Sequence, residues 1–279
     1  MLKLSAFADE ISPEVDEQVR VCRELGVTHV ELRFVRGINV LDFSPELRAE
    51  VRDKLRGGGV GVVSIASPIG KVKINDPWPE HFDRFKVAVE LAHYFQAPFI
   101  RIFSYYPPEK GGDMAPHRDE VVRRMRLKVD YLAANAPHVV LLHENEKGIY
   151  GDTGRRCADL MTAVNSPTFR AAFDFANFVQ VGEHPPENWK LLKAYTTHIH
   201  IKDAMLADGH IVPAGRGDGG IAQVLPDAYR SGYRGFLSLE PHLAADKQFG
   251  GFSGPDLFKV AADALKDLCR KNGVPLAGA

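Results

Sequence analysis

The stretch Val139-Val140-Leu141-Leu142-His143-Glu144-Asn145 is an apolar run that ends abruptly in polar side chains. A continuous apolar run of this length is typical of a strand in a parallel sheet that is covered on both faces. Three later runs of the same kind follow it, and the four ends carry side chains that commonly bind metals: Glu144, Asp174, His200 and Glu240. In a closed parallel barrel the carboxyl ends of all strands meet at one rim, so these four side chains would meet there.

The strand pattern alternates with amphipathic segments of helical period along the whole chain. It gives eight strand–helix units of about 30 to 40 residues, the size of a βαβ repeat. The strands are predicted to begin near residues 2, 28, 60, 99, 139, 169, 197 and 235. Strict alternation without a break in composition favours one domain, and eight units favour closure. We therefore expect residues 1–279 to form a single (β/α)8 TIM barrel, with a metal site at its C-terminal rim.

A doubly wound open sheet is the alternative fold. It would require a glycine-rich turn after the first strand, and Ala8-Asp9-Glu10-Ile11-Ser12 does not provide one. A later glycine-rich segment, residues 214–220, lies before a predicted helix, which permits anion binding, but it lacks the spacing of a phosphate-binding loop. Ser12-Pro13 and Ser44-Pro45 are start signals for the first two helices.

The bulk composition does not favour a nucleic-acid or membrane partner. The chain has 279 residues and a formal net charge of −1, which gives no electrostatic reason to expect a nucleic-acid or membrane partner. The three cysteines are odd in number and far apart, which is typical of free thiols in a reducing compartment. Neither a signal-peptide segment nor a membrane-spanning run is visible, so we expect a cytoplasmic protein. Whether it forms a homo-oligomer is left open.

Three carboxylates and one imidazole suit a divalent cation such as Mn²⁺, Co²⁺, Mg²⁺ or Zn²⁺. Taken singly, each residue could be a helix cap or a loop residue, but four consecutive strand ends of ligand type favour a site. His200 is chosen over His198 because it lies nearer the end of its strand. The two histidines are expected on opposite sides of that strand, with His198 in the core. The further candidates at the rim are Glu31, Ser67, Arg101, Asn145, Asn177, Lys202 and His242.

Five segments resemble the xylose isomerase-like barrel superfamily, which contains sugar isomerases, epimerases, inosose dehydratase-type enzymes and endonuclease IV. They are Val30-Glu31-Leu32-Arg33, His143-Glu144-Asn145, residues 173–177, His198-Ile199-His200-Ile201-Lys202-Asp203 and residues 232–240. The resemblance implies one divalent metal, with manganese among the candidates, held by Glu144, Asp174, His200 and Glu240. It also implies that Glu144 and Glu240 are catalytic and move a proton next to a carbonyl, through an enediolate held at the metal.

The chain departs from the free-ketose epimerases at two places. Asn177 stands where they usually have a histidine, and Met205-Leu206 stand where they usually have an arginine. The substrate contacts are therefore expected from Asn177, Lys202, Glu31 and His242. The leading hypothesis is a metal-dependent isomerase or epimerase of carbohydrate metabolism, acting on a small sugar or keto-polyol. The alternatives are a lyase that dehydrates an inosose or dehydroshikimate-like compound, an endonuclease IV-type hydrolase and a non-catalytic sugar-binding barrel.

Overall fold

The structure is a computed structural model that describes residues 1–244 and 251–277. Twelve strands lie within these residues: β1 (Lys3–Ala6), β2 (His29–Leu32), β3 (Phe34–Val35), β4 (Ile38–Asn39), β5 (Gly61–Ile65), β6 (Phe99–Ile102), β7 (Val140–Glu144), β8 (Phe169–Asp174), β9 (Thr196–Ile201), β10 (Asp203–Ala204), β11 (Ile211–Val212) and β12 (Phe236–Leu239). Eight of them form a closed parallel barrel in the order β1-β12-β9-β8-β7-β6-β5-β2.

Helices follow the barrel strands in the order that the sequence predicts. The α-helices within the described residues are α1 (Val15–Glu24), α2 (Pro45–Gly57), α3 (Trp78–Phe95), α4 (Arg118–Asn135), α5 (Gly154–Val164), α6 (Phe175–Val179), α7 (Pro185–Leu192), α8 (Ile221–Arg230) and α9 (Gly254–Lys271). The closed barrel confirms the (β/α)8 prediction and rules out the doubly wound open sheet. No helix in the described ranges is long and apolar enough to cross a membrane.

One predicted helix start is wrong and another is correct. Helix α1 begins at Val15, because the hydroxyl of Ser12 accepts the N–H of Glu14 and closes a turn before the helix. Helix α2 begins as expected, with Ser44 accepting the N–H of Leu47 as its cap.

Three short elements at the C-terminal face were not predicted. Strands β3 and β4 form one antiparallel hairpin, β10 and β11 form a second, and the five-residue helix α6 follows β8 directly. Two-residue strands and a single helical turn are too short to produce a readable period in a sequence. All three lie on the face of the barrel that carries the ligand-type side chains, so they shape the entrance to the site.

The barrel interior contains a polar layer where such barrels usually carry branched apolar side chains. Five buried residues form this layer: Ser5, Glu31, Ser64, His198 and Ser238. Ser5 is paired in register with Ser238, and Glu31 with Ser64, while His198 contacts Glu31 across the barrel. His200 adjoins this layer, because it is paired in register with Ser238 of β12, and it is also paired with Asp174 of β8. Within this layer, Glu31 contacts Nε2 of His200 at 3.1 Å and so supports one of the four predicted ligands.

Candidate metal and substrate site

His200 lies at the centre of the candidate site, with three carboxylates around one of its ring nitrogens. Its Nδ1 atom is 3.2 Å from Oε1 of Glu144, 3.9 Å from Oδ2 of Asp174 and 3.7 Å from Oε2 of Glu240. One possible ligand atom from each of these four residues lies within 4.8 Å of all the others. The structure therefore brings together the set that the strand ends predicted.

Strand ends and one short helix place the carboxylates. Glu144 is the last residue of β7 and Asp174 the last residue of β8. Oδ1 of Asp174 accepts the N–H of Asn177 at 2.8 Å and caps α6, which leaves Oδ2 facing the site. The side-chain amide of Asn145 both accepts from and donates to the backbone of Asp174, at 2.9 Å each, and so ties the ends of β7 and β8 together.

The donor set fits a cation. All four side chains are at most 3% exposed. Nδ1 of His200 is buried and makes no hydrogen bond with any residue that the structure describes. Such atoms are rare in folded proteins and call for a partner such as an ion. An imidazole nitrogen with three carboxylate oxygens is a donor set that Mn²⁺, Co²⁺, Mg²⁺ or Zn²⁺ accepts.

Protonation of the site is set by burial and by its own charges. Burial alone would raise the pKa of Glu144, but His200 and Arg101 outweigh it and lower that pKa to about 2. Burial likewise opposes ionisation of Glu240, yet Lys202 and His242 hold the pKa of this carboxyl well below its usual value. For Asp174 burial dominates and raises the pKa to about 6. Both glutamates are therefore ionised at neutral pH.

Two arginines and one lysine contact the carboxylates. Nη1 of Arg101 lies 3.1 Å from Oε2 of Glu144, and Nη1 of Arg33 lies 3.0 Å from Oε1 of Glu240. Nζ of Lys202 lies 3.0 Å from Oδ2 of Asp174 and 3.1 Å from Oε2 of Glu240. Both guanidinium groups also stack on the ring of Phe7, at 4.6 Å and 5.0 Å from its centroid. Because each glutamate has its own arginine, the charges of the site are paired as well as concentrated.

The expectation that His198 and His200 lie on opposite sides of their strand is wrong, whereas His198 is buried in the core as expected. His198 and His200 contact the same atom, Oε1 of Glu31, through Nε2 at 2.8 Å and 3.1 Å respectively. Side chains alternate between the two faces of a strand, so residues two apart share a face, and both histidines point into the barrel. Burial would raise the pKa of Glu31, but these two imidazoles lower it well below its usual value.

His242 lies beside Glu240 at the mouth of the barrel. Its Nε2 atom is 3.1 Å from Oε1 of Glu10 and 3.4 Å from Oε1 of Glu240. Burial would lower the pKa of His242, but Glu10 and Glu240 raise it to about 9. The residue has a left-handed backbone with φ of 44°, and Gly251 approaches its ring so closely that a Cβ there would lie 2.1 Å from it.

Asp203 lies just after β9, where the sequence predicts that it orients a ligand or caps a loop. In the structure it caps the glycine-rich segment 214–220. Its carboxylate accepts the backbone N–H groups of Gly215, Gly217 and Gly219 at 2.8 to 3.0 Å. A Cβ at Gly217 or Gly219 would lie 2.6 Å from Oδ1 of Asp203, so only glycine fits. These amides already bind a carboxylate of the chain itself and are not free for a phosphate group.

A cavity of about 260 Å³ opens above the ligand set. The residues that line it are Arg33, Phe34, Asn39, Ala66, Pro68, Lys71, Arg101, Glu144, Glu146, Lys202, Glu240 and His242. A second cavity of about 230 Å³ adjoins it, and Asn177, Lys202 and His242 are among its lining residues. Glu31 lines neither cavity. The loops 104–116, 147–154 and 241–253 follow β6, β7 and β12, and the sequence predicts that they shape the pocket. Residues 245–250 of the last loop lie outside the described part of the chain.

Sequence reasoning missed several cations and acids of this site. Arg33 was noted only as part of a family-like segment, and Lys71 and Glu146, whose ion pair spans 2.7 Å, were not noted at all. Asp9 and Glu10 looked like loop acids after the first strand, yet they form a buried 3₁₀ turn and lie 2.8 Å and 3.6 Å from the guanidinium of Arg33. The available signal was the position of Arg33, directly after β2.

A family model described as xylose isomerase-like TIM barrel matches residues 19–268 of the chain. No curated protein gives a significant sequence match. Among solved structures, the chain is similar to the probable 3-DHS dehydratase AsbF of Bacillus anthracis, with a TM-score of 0.74 and 17% identity over 95% of this chain and 99% of that one.

Two further solved structures have the same fold. D-psicose 3-epimerase of Clostridium cellulolyticum H10, determined with D-tagatose, gives a TM-score of 0.74 at 15% identity over 97% of this chain and 99% of that one. A xylose isomerase-like TIM barrel protein of Mycobacterium smegmatis was determined in complex with magnesium. It gives a TM-score of 0.71 at 18% identity over 96% of this chain and 97% of that one. Identities this low establish a shared fold, while the reactions of the neighbours differ.

Proposed function

The chain belongs to the xylose isomerase-like TIM barrel family, and from this we propose that it is a divalent-metal-dependent isomerase or epimerase. It would act on a small sugar or keto-polyol and move a proton on a carbon next to a carbonyl group. The observation that carries the proposal is Nδ1 of His200, buried among three carboxylate oxygens at 3.2 to 3.9 Å beneath an open cavity. The proposal takes residues 1–279 as one catalytic domain.

Glu144, Asp174, His200 and Glu240 would hold the cation. When bound, a divalent cation polarises a carbonyl group and stabilises the negative charge that develops on its oxygen. Glu31 is then assigned a different role from the predicted substrate contact. It is 1% exposed and contacts Nε2 of His200, so it would orient the imidazole ring of His200 and would not touch the substrate.

Glu144 and Glu240 would carry out the proton transfers. Both line the cavity, both are ionised at neutral pH, and each is fixed by an arginine, Arg101 or Arg33. One carboxylate would take the proton from the substrate carbon to give an enediolate. The other would return a proton to the opposite face of that carbon or to its neighbour. Asn177, Lys202 and His242 would contact the substrate, since all three line the adjoining cavities.

The test is proton exchange in D₂O, followed by NMR, with the Mn²⁺-loaded chain and a panel of ketoses and keto-polyols. We expect deuterium at a carbon next to the carbonyl, together with an isomer or epimer of at least one substrate. Glu144→Gln and Glu240→Gln should lose this exchange by a factor of about 100 or more. Glu90→Gln, an exposed position on α3, is the matched control and should keep it. Absence of exchange across the whole panel would overturn the proposal.

A dehydratase is the second candidate, and the position of His242 favours it. This side chain lines the cavity next to Glu240 and could donate a proton to a leaving hydroxyl group after the first proton is removed. The substrate would then lose water and become an unsaturated ketone. Ultraviolet absorbance of that product, without formation of an epimer, would select the dehydratase over the epimerase.

A further inference from the structure

Among the three carboxylates, Arg33, Arg101 and Lys202 each make their shortest contact with a different oxygen. The oxygens that face Nδ1 of His200 are Oε1 of Glu144, Oδ2 of Asp174 and Oε2 of Glu240. Arg101 contacts Oε2 of Glu144, and Arg33 contacts Oε1 of Glu240. Each arginine therefore contacts the outer oxygen of its carboxylate, the one that does not face Nδ1 of His200. The inner oxygen of Glu144 accepts the side-chain N–H of Asn177 at 3.2 Å.

Lys202 behaves differently from the arginines. Its ammonium nitrogen lies 3.0 Å from Oδ2 of Asp174 and 3.1 Å from Oε2 of Glu240, which are two of the inner oxygens. The side chain is buried, so these two carboxylates, and not water, are its charge partners. A charged ammonium group thus contacts two of the four proposed ligand atoms.

We propose that Lys202 is the resident counter-ion of the metal-free site and that a divalent cation must displace it. This inference rests on the metal site of the proposed function. A carboxylate-bound divalent ion lies about 2.0 to 2.6 Å from its oxygens, so an ammonium at the same two oxygens would be a like charge in close contact. The two arginines occupy outer oxygens and keep their places when the cation binds.

The two cavities beside Lys202 leave space for its displaced ammonium group. Lys202 lines both the cavity of about 260 Å³ and the adjoining one of about 230 Å³, so its flexible side chain can turn into either. Glu146 lines both cavities as well and gives the freed charge a neighbour. Metal binding would therefore do two things at once: it completes the ligand set, and it delivers a cationic donor to the space where a substrate oxygen binds.

The first test compares Mn²⁺ affinity by isothermal titration calorimetry in the wild type, Lys202→Met and Lys71→Met. Removal of the competing ammonium should tighten Mn²⁺ binding about tenfold or more, which corresponds to about 1.4 kcal/mol. The metal-free Lys202→Met chain should also unfold at a lower temperature, because Asp174 and Glu240 then repel each other without a counter-ion. Lys71 lines the same cavity but pairs with Glu146, so its substitution should change the affinity less than about twofold.

The outcomes separate this inference from the proposed function. If the wild type binds Mn²⁺ and Lys202→Met binds it no more tightly, the role of Lys202 is overturned and the metal site stands. If neither chain binds Mn²⁺, both are overturned.

A crystal structure of the Mn²⁺-bound wild type gives a second, independent test, which does not depend on the folding of a variant. Lys202 Nζ should then lie more than about 4 Å from both inner oxygens, with the Arg33 and Arg101 pairs intact; an unmoved Lys202 would contradict the inference.

Discussion

Oε1 of Glu31 lies 3.1 Å from Nε2 of His200, while Nδ1 of the same ring faces the three carboxylates. A carboxylate that accepts the Nε2–H of an imidazole leaves the lone pair of Nδ1 free. It also fixes the orientation of the ring, as partners of metal-binding histidines commonly do. In the neutral form of His200 this contact would favour a proton on Nε2, which leaves Nδ1 able to bind a cation at the proposed position.

Replacing Glu31 by Gln should weaken Mn²⁺ binding by about 10- to 100-fold. A glutamine can donate its own N–H to Nε2 of His200, which would place the ring proton on Nδ1, where the cation must bind. Isothermal titration measures the change, and circular dichroism checks that the variant is folded. Ser64→Ala alters the same buried polar layer without touching His200 and should leave the affinity unchanged. Equal affinities for Glu31→Gln and the wild type would show that Glu31 does not set the tautomer.

Asp174→Asn should abolish tight Mn²⁺ binding, with a loss of at least about 100-fold, while the fold is kept. The carboxylate has two separable functions: Oδ1 caps α6 by accepting the N–H of Asn177 at 2.8 Å, and Oδ2 faces the proposed metal position. Asparagine is as good a helix cap as aspartate, and Lys202 keeps Glu240 as a partner at 3.1 Å, so the variant loses a ligand charge and keeps the cap. The thermal unfolding midpoint of the metal-free variant should therefore not fall below that of the metal-free wild type. Retained Mn²⁺ affinity would remove Asp174 from the ligand set.

The four strand-end side chains could be predicted because each follows an apolar run, and a closed barrel leaves one place for such ends to meet. The residues that contact these four side chains could not be predicted in this way. Glu31 and His198 are 167 residues apart and belong to strands β2 and β9, which are not neighbours in the barrel, so their contact depends on the closed geometry. Predicting that the two histidines face opposite sides misapplied the alternation of side chains along a strand, and the contact with Glu31 was missed as a result.

The residues around the cavity were harder to predict than the four proposed ligands beneath it. The hairpin β3–β4 contributes Phe34 and Asn39 to the cavity lining, but its two-residue strands carry no periodic pattern. Asp9 and Glu10 are buried only because Arg33 and His242 are folded against them from distant parts of the chain. Ion-pair partners of this kind are set by tertiary contacts, and local sequence does not encode them.

A different buried histidine should make stability depend on pH. Nε2 of His81 accepts the N–H of Gly70 at 3.1 Å, and burial, together with the charges of Lys128 and Arg124, lowers the pKa of His81 to about 3. The neutral form is favoured in the folded state, so its stabilising contribution is complete above pH 6.5 and is lost as the pH falls from there towards 3. Between pH 7 and pH 5 the wild type should lose about 2 kcal/mol more unfolding free energy than His81→Gln, which does not titrate. Urea unfolding at the two pH values measures this difference, and parallel losses in both chains would contradict it.

Gly70 itself is fixed by the close approach of another loop. Its φ is +94°, and a Cβ at this position would lie 1.9 Å from the carbonyl oxygen of Phe103. Gly111 has a similar φ of +78°, but no atom lies within 4 Å of the place where its Cβ would be. Gly111→Ala should therefore cost only the strain of a left-handed alanine, about 1 kcal/mol.

Gly70→Ala should cost that strain and also separate the loop from Phe103, for a total of more than about 3 kcal/mol of unfolding free energy. The separation would move the N–H of Gly70 away from His81 and its carbonyl oxygen away from the N–H of Tyr105, which it accepts at 3.0 Å. It would also move Pro68 and Lys71, which line the cavity on the same loop. Urea unfolding of the two alanine variants measures the contrast. Equal losses would show that the left-handed backbone alone, and not the contact with Phe103, requires glycine at position 70.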